Sequence, residues 1–149
     1  MVRLKHRYML VEISQRDEWQ KITVSEQEIV SALKNAIQCL YGDYGVGVTK
    51  TGLTLKFFNP HTGVFLLRCR RGPHRLVSSV LPLIERIGQL CVTLRTLKLS
   101  GTIRSSLKYL KEYDCRVMLD ALRRCSTTEE KHIAKARIAE VYATLEKQM

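Results

Sequence analysis

The sequence predicts an α+β sandwich in the order β-α-β-β-α-β, one four-stranded antiparallel sheet with two helices on one face, with additional C-terminal helices. Three patterns lead to it. Apolar residues alternate at period two in four segments, they recur at helical spacing in the segments between and after these, and turn-forming residues separate the blocks.

The first strand runs from about Arg7 to Ile13, with Met9, Val11 and Ile13 on one face and Tyr8, Leu10 and Glu12 on the other. A polar loop follows. Ser25-x-x-Glu28 reads as a capping box, and Ile29, Leu33, Ala36, Ile37 and Leu40 then recur with the period of a helix that should end at Gly42. Leu53, Leu55 and Phe57 alternate with Thr54, Lys56 and Phe58, in a segment from Tyr44 rich in β-branched residues. Asn59-Pro60-His61-Thr62-Gly63 has turn chemistry and Val64 to Arg71 resumes the alternation, so the two runs form a hairpin. Gly72-Pro73 opens a second helix carrying Leu76, Val77, Val80, Leu83, Ile84 and Ile87, which Pro82 should kink or bound. Leu97 and Leu99, alternating with Thr96 and Lys98, predict the fourth strand. This is the split βαβ plan of ferredoxin-like and RNA-recognition-motif-like folds. The domain is expected to occupy residues 1–124, including a basic N-terminal arm and an added helix at about 102–124. Thr127-x-x-Glu130 then caps a helical extension within residues 125–149.

Composition narrows the partners. The chain has 149 residues, 45% of them hydrophobic, enough for one real core. Its net charge of +11 points to polyanions. Five cysteines are spaced irregularly with no C-x-x-C pair, which fits buried free thiols better than a disulfide framework or zinc site. No apolar run reaches the ~18 residues that cross a bilayer, and the opening lacks an apolar signal core, so the expected compartment is cytosol or nucleus and no membrane partner is expected.

Charge is concentrated. Between Tyr44 and Lys111 stand 12 Lys plus Arg against one acidic residue, Glu85, a self-repulsion that bound phosphates would offset. Three clusters are candidate RNA-binding residues. Arg3, Lys5, His6 and Arg7 form the arm, whose other reading is a frayed, solubilising terminus. Arg68, Arg70 and Arg71 flank Cys69, with His74 and Arg75 at the next helix start; a solvated strand end is the alternative. Gly101 and Thr102 join a strand to a helix on which Arg104, Lys108 and Lys111 recur at i, i+4, i+7. Such cations position a nucleic-acid backbone rather than read bases. The aromatic string by which the standard RNA-recognition motif stacks bases is missing from Gly63-Val64-Phe65-Leu66-Leu67-Arg68-Cys69-Arg70, so single-strand stacking is not expected.

No catalytic or metal-ligating residues are assigned. A small ferredoxin-like hydrolase would need a phosphate loop, a paired-carboxylate site or an H-E-x-x-H string, and none is present. Cys69-x4-His74 is half of a metal site at most. A basic scaffold serving another ribonucleoprotein is the remaining alternative.

The strings Val2-Arg3-Leu4-Lys5-His6-Arg7-Tyr8, Asn59-x-x-Thr62-Gly63-Val64-x-Leu66-Leu67-Arg68-Cys69-Arg70 and Ser100-Gly101-Thr102-Ile103-Arg104 carry a likeness: the chain resembles the Pop-five family, to about Arg124. That resemblance implies a non-catalytic subunit of ribonuclease P and ribonuclease MRP. In these holoenzymes RNA with Mg2+ performs the chemistry, removing the 5′ leader of precursor tRNA or processing rRNA. It implies no cofactor bound by this chain. The implied partners are the ribonuclease P/MRP RNA, precursor tRNA indirectly or through the arm, a TIM-barrel Rpp-thirty-type subunit and an Rpp-fourteen-type subunit. The implied location is the nucleus and nucleolus. The chain lacks the acidic C-terminal tail of some relatives.

Overall fold

Alternation in the first segment is realised as β1 (His6–Gln15), whose Met9, Val11 and Ile13 enter the core as expected. The computed structural model describes residues 4–15, 23–60 and 62–124, with residues 132, 136 and 139 beyond them. After β1 come α1 (Glu26–Lys50), β2 (Thr54–Asn59), β3 (Val64–Arg70), α2 (His74–Val80), a 3-10 turn (Leu81–Leu83), β4 (Arg86–Ile87), β5 (Leu90–Ser100) and α3 (Ile103–Arg124). The sheet is antiparallel throughout, in the order β2-β3-β1-β5-β4. Apart from the two-residue β4 at its edge, this is the split βαβ arrangement the sequence predicts. Two compact units divide the chain, residues 1–107 and 108–149, and α3 runs from the first into the second. The helix expected after Thr127 lies outside the described residues apart from positions 132, 136 and 139, which are helical.

The capping box forms as read. Glu28 N–H donates to Ser25 Oγ at 3.3 Å, while Ser25 N–H at 2.7 Å and then its Oγ at 2.9 Å donate to Glu28 Oε2 and hold that carboxyl below its ordinary pKa. The first helical stretch does end at Gly42, as its period predicts, but a second one follows it at once. Gly42 takes φ 60°, which bends the chain, and a further helical stretch continues to Lys50. Burial overrides the β-branched composition there: Gly45 and Thr49 are buried, Val46 packs on the core, and Thr49 Oγ1 donates to the Gly45 carbonyl at 2.8 Å.

The second helix is shorter than its apolar period suggests. It stops at Val80 because Pro82 follows, lacking an N–H and disfavouring continued helix. Ile84 and Ile87 are still buried, but they reach the core from extended chain and from β4. The last long strand begins at Leu90, well before the Leu97–Leu99 alternation. A register shift opposite Leu10 and Val11 hides its regularity, since Leu10 pairs with Lys98 and Val11 with Thr96.

The core lies between sheet and helices. Met9, Val11, Ile13, Phe65, Leu67 and Cys69 meet Ile29, Leu33 and Ile37 of α1 and Val77 and Val80 of α2. On the other sheet face Leu10, Val64 and Leu66 are buried as well. In α3, Ser106, Leu110 and Asp114 are buried at i, i+4, i+8, and Ser106 Oγ hydrogen-bonds Ser100 Oγ at the end of β5.

Phe65→Ala should cost about 3–5 kcal/mol of stability, read from the midpoint of urea unfolding, because a fully buried ring leaves a cavity. A pH dependence is expected from Asp114, whose carboxyl burial pushes up to about 6. Its folded pKa lies above the unfolded value, so the folded state binds the extra proton and this group's contribution to stability falls as pH rises from about 4 to about 6. Asp114→Asn should flatten the thermal midpoint across that window, and an unchanged pH profile would refute the assignment.

Candidate nucleic-acid interface

Strand parity sorts the basic residues. Along β1 the odd positions enter the core, so Arg7 leaves the sheet on the helix side and His6 and Tyr8 leave it on the other. In β3, Phe65, Leu67 and Cys69 face the helices, so Arg68 and Arg70 project to the same side as His6. The register agrees, pairing His6 with Arg70 and Tyr8 with Arg68. His6 and Arg7 therefore belong to β1 itself rather than to an arm before it. Lys5 is exposed and its carbonyl accepts from Arg71 N–H at 2.9 Å, which prolongs the β1–β3 ladder past both strand ends. Arg3 lies outside the described residues.

On the helix side, Arg7, Arg71 and Arg75 surround His74. Partial burial first, and then the charges of Arg7, Arg75 and Arg71, hold the imidazole below its ordinary pKa. Gly72 N–H donates to His74 Nδ1 at 3.1 Å, so in the neutral ring Nε2 carries the proton and is a donor. The helix that His74 opens spans seven residues and has no side-chain cap, so its dipole adds little to these side chains. Gly101, between β5 and α3, gives Arg7 its room: a Cβ at Gly101 would lie 2.8 Å from Arg7 Nη1.

Across the sheet, Arg68 Nη2 lies 3.0 Å from His6 Nε2. The Nε atoms of Arg68 and Arg70 are shielded from solvent and find no acceptor among the described residues. Both side chains are only half-buried, and the fork of a guanidinium can grip a phosphate bidentately. Gly52 supplies space here, since a Cβ on it would come within 2.7 Å of Arg70 Cγ.

The third cluster is a stripe of α3. Arg104 and Lys108 are exposed and Lys111 is half-buried, on a different face from the Ser106, Leu110 and Asp114 stripe. Thr102 has a structural task. Its Oγ1 accepts from Ser105 N–H at 3.3 Å and its carbonyl accepts from Ser100 Oγ at 3.0 Å, fixing the turn into α3.

Sequence reasoning found the cations but not their sides, and it offers Gly52 only as punctuation of the segment from Tyr44 to Phe58, because its place beside Arg70 carries no signal without the strand register. Arg95 was also passed over; it bonds Glu12 across the sheet at 2.8 Å. Tyr8 and Phe57 share the face of Arg68, but Leu10, Val64 and Leu66 close the middle of that face, which leaves no open stacking platform. Among the described residues there is no group of three or more His, Cys, Asp or Glu able to hold a metal ion. The buried Cys69 thiol is pushed up to about 11 by desolvation and stays protonated.

Known proteins share this architecture. A model of the Rpp14/Pop5 family matches residues 7–111. The "Ribonuclease P/MRP protein subunit POP5" of Danio rerio is 35% identical over 144 residues, covering 93% of this chain and 85% of that protein. The protein of the same description from Homo sapiens is 33% identical over 135 residues, covering 88% and 83%. A chain of the yeast ribonuclease MRP cryo-EM structure superposes with a TM-score of 0.51 at 14% identity, covering 100% of this chain and 99% of that chain, a likeness of fold alone. With the matched stretch containing the sheet from Arg7 onward and the arginines of β1 and β3, the chain belongs to the Rpp14/Pop5 family.

Proposed function

We propose that this chain is a Pop5-type protein subunit of ribonuclease P and ribonuclease MRP, with no active site of its own, and that it holds the catalytic RNA by its phosphate backbone. The supporting observation is the concentration of cations at the joined ends of β1 and β3, where His6, Arg7, Arg68 and Arg70 stand within three successive register pairs. Cations with this geometry bind phosphates bidentately and leave sequence unread.

In this reading the RNA supplies the chemistry, with Mg2+ bound to it, and 5′ leader removal from precursor tRNA and rRNA processing belong to the holoenzyme. The chain holds the RNA framework, and precursor tRNA meets it indirectly or through the N-terminal residues up to Arg7. Its protein partners are a TIM-barrel subunit of the Rpp-thirty type and an Rpp-fourteen-type relative. Leu40, Tyr44 and Leu83, all exposed, offer them apolar surface. The workplace is the nucleus and nucleolus.

The test is a salt titration of the purified chain against a folded ribonuclease P RNA. Log affinity should fall linearly with log salt, at about −0.9 per phosphate on duplex regions. Arg104→Gln with Lys108→Gln should shallow that slope by about two and leave thermal stability within about 0.5 kcal/mol. A flat salt response would overturn the backbone-gripping reading, and a large loss of stability would make the α3 stripe structural.

A further inference from the structure

The two arginine groups at the end of the sheet face opposite ways. Arg7, with Arg71, Arg75 and His74, lies on the helix side, while His6, Arg68 and Arg70 lie on the other. Between them stand the paired backbones of β1 and β3, extended by the bond from Arg71 N–H to the Lys5 carbonyl. We propose that this end of the sheet is a wedge that takes one phosphodiester segment on each face, so that a single chain bridges two separate RNA helices.

Side chains leaving opposite faces of a sheet place their heads about 10 Å or more apart, with backbone in between. A regular RNA helix is convex and rests on one face at a time, so it satisfies one group and leaves the other. Neither group looks built to neutralise the other. The His6 and Arg68 contact joins two residues of the same face, and glycines hold the two sides open separately, Gly101 beside Arg7 and Gly52 beside Arg70. On each face cations lie together, Arg7, Arg71 and Arg75 about His74 on one and Arg68 and Arg70 about His6 on the other, so each face independently gains from a bound phosphate.

This inference rests on the RNA-binding reading, and the experiment separates the two. Two short RNA duplexes, one carrying a donor fluorophore and one an acceptor, are mixed with the full chain at limiting concentration. The expected result is energy transfer that depends on the protein. Arg7→Gln with Arg75→Gln, or Arg68→Gln with Arg70→Gln, should abolish transfer while each variant still binds one duplex, with a salt slope shallower by about two. Mixing the two variants should not restore transfer. Restored transfer would show that a dimer of chains does the bridging, and transfer surviving in either variant would show that the two faces do not act together; each result overturns the wedge. Binding of a single duplex without any transfer by the unaltered chain would overturn it too and leave the RNA-binding reading standing. Failure to bind either duplex at low salt would remove both. Should an arginine variant fail to fold, Gly52→Ala displaces Arg70 without removing charge, since the added Cβ would meet the Arg70 Cγ and backbone nitrogen. That substitution should lower transfer several-fold, and full transfer would count against the wedge.

Discussion

The pairing of β1 in the middle of the sheet, with β3 on one side and β5 on the other, is the constraint on which the remaining structure depends. A slip of one residue would exchange the two faces of β1, taking Met9, Val11 and Ile13 out of the core and driving His6 and Tyr8 into it. Burial of those three side chains against α1 and α2 therefore fixes more than stability. It fixes which side Arg7 and His6 occupy, and through the same ladder it fixes the sides of Arg68 and Arg70. The basic groups are placed by the hydrophobic ones.

Much of this was legible because each element announces itself locally. The Ser25 and Glu28 box, the Met9-Val11-Ile13 alternation and the hairpin chemistry between Asn59 and Gly63 act over a few residues, and each formed where its pattern lay. The failures came where tertiary context outweighed local preference. Residues 43–50 are β-branched and glycine-rich, yet Gly42 bends the chain so that they continue as helix under burial of Gly45 and Thr49. Ile84 and Ile87 fit a helical period, but Pro82 forces them to reach the core from extended backbone. The register shift in β5 breaks an alternation that would otherwise have shown the strand's full length.

The candidate site was half legible for a related reason. Composition and clustering name cations without any structure, since charge is a property of residue type. Their division between two faces requires strand parity, and the roles of Gly52 and Gly101 require knowing which arginine lies opposite each. Thr102 shows the converse. It stands within a basic string and invites a phosphate role, yet its hydroxyl is already committed to a backbone N–H at the start of α3.

The split βαβ fold commonly offers the face away from its helices to single-stranded bases, and here that use is closed. Leu10, Val64 and Leu66 are buried at the middle of that face, so aromatic stacking across the central strands has no platform, and Tyr8 and Phe57 are only half-exposed beside them. What stays accessible is the end of the sheet, where β1 begins and β3 finishes, and the charges gather there. An apolar centre with a cationic end suits a ligand that is recognised by its backbone and shape and that brings its own folded structure. On the reading proposed above, that closure suits a rigid grip, because arginines anchored on paired strands would lose little conformational freedom on meeting a phosphate. A fold that in the standard recognition motif presents its sheet to loose strands would then hold a structured RNA by the end of that sheet.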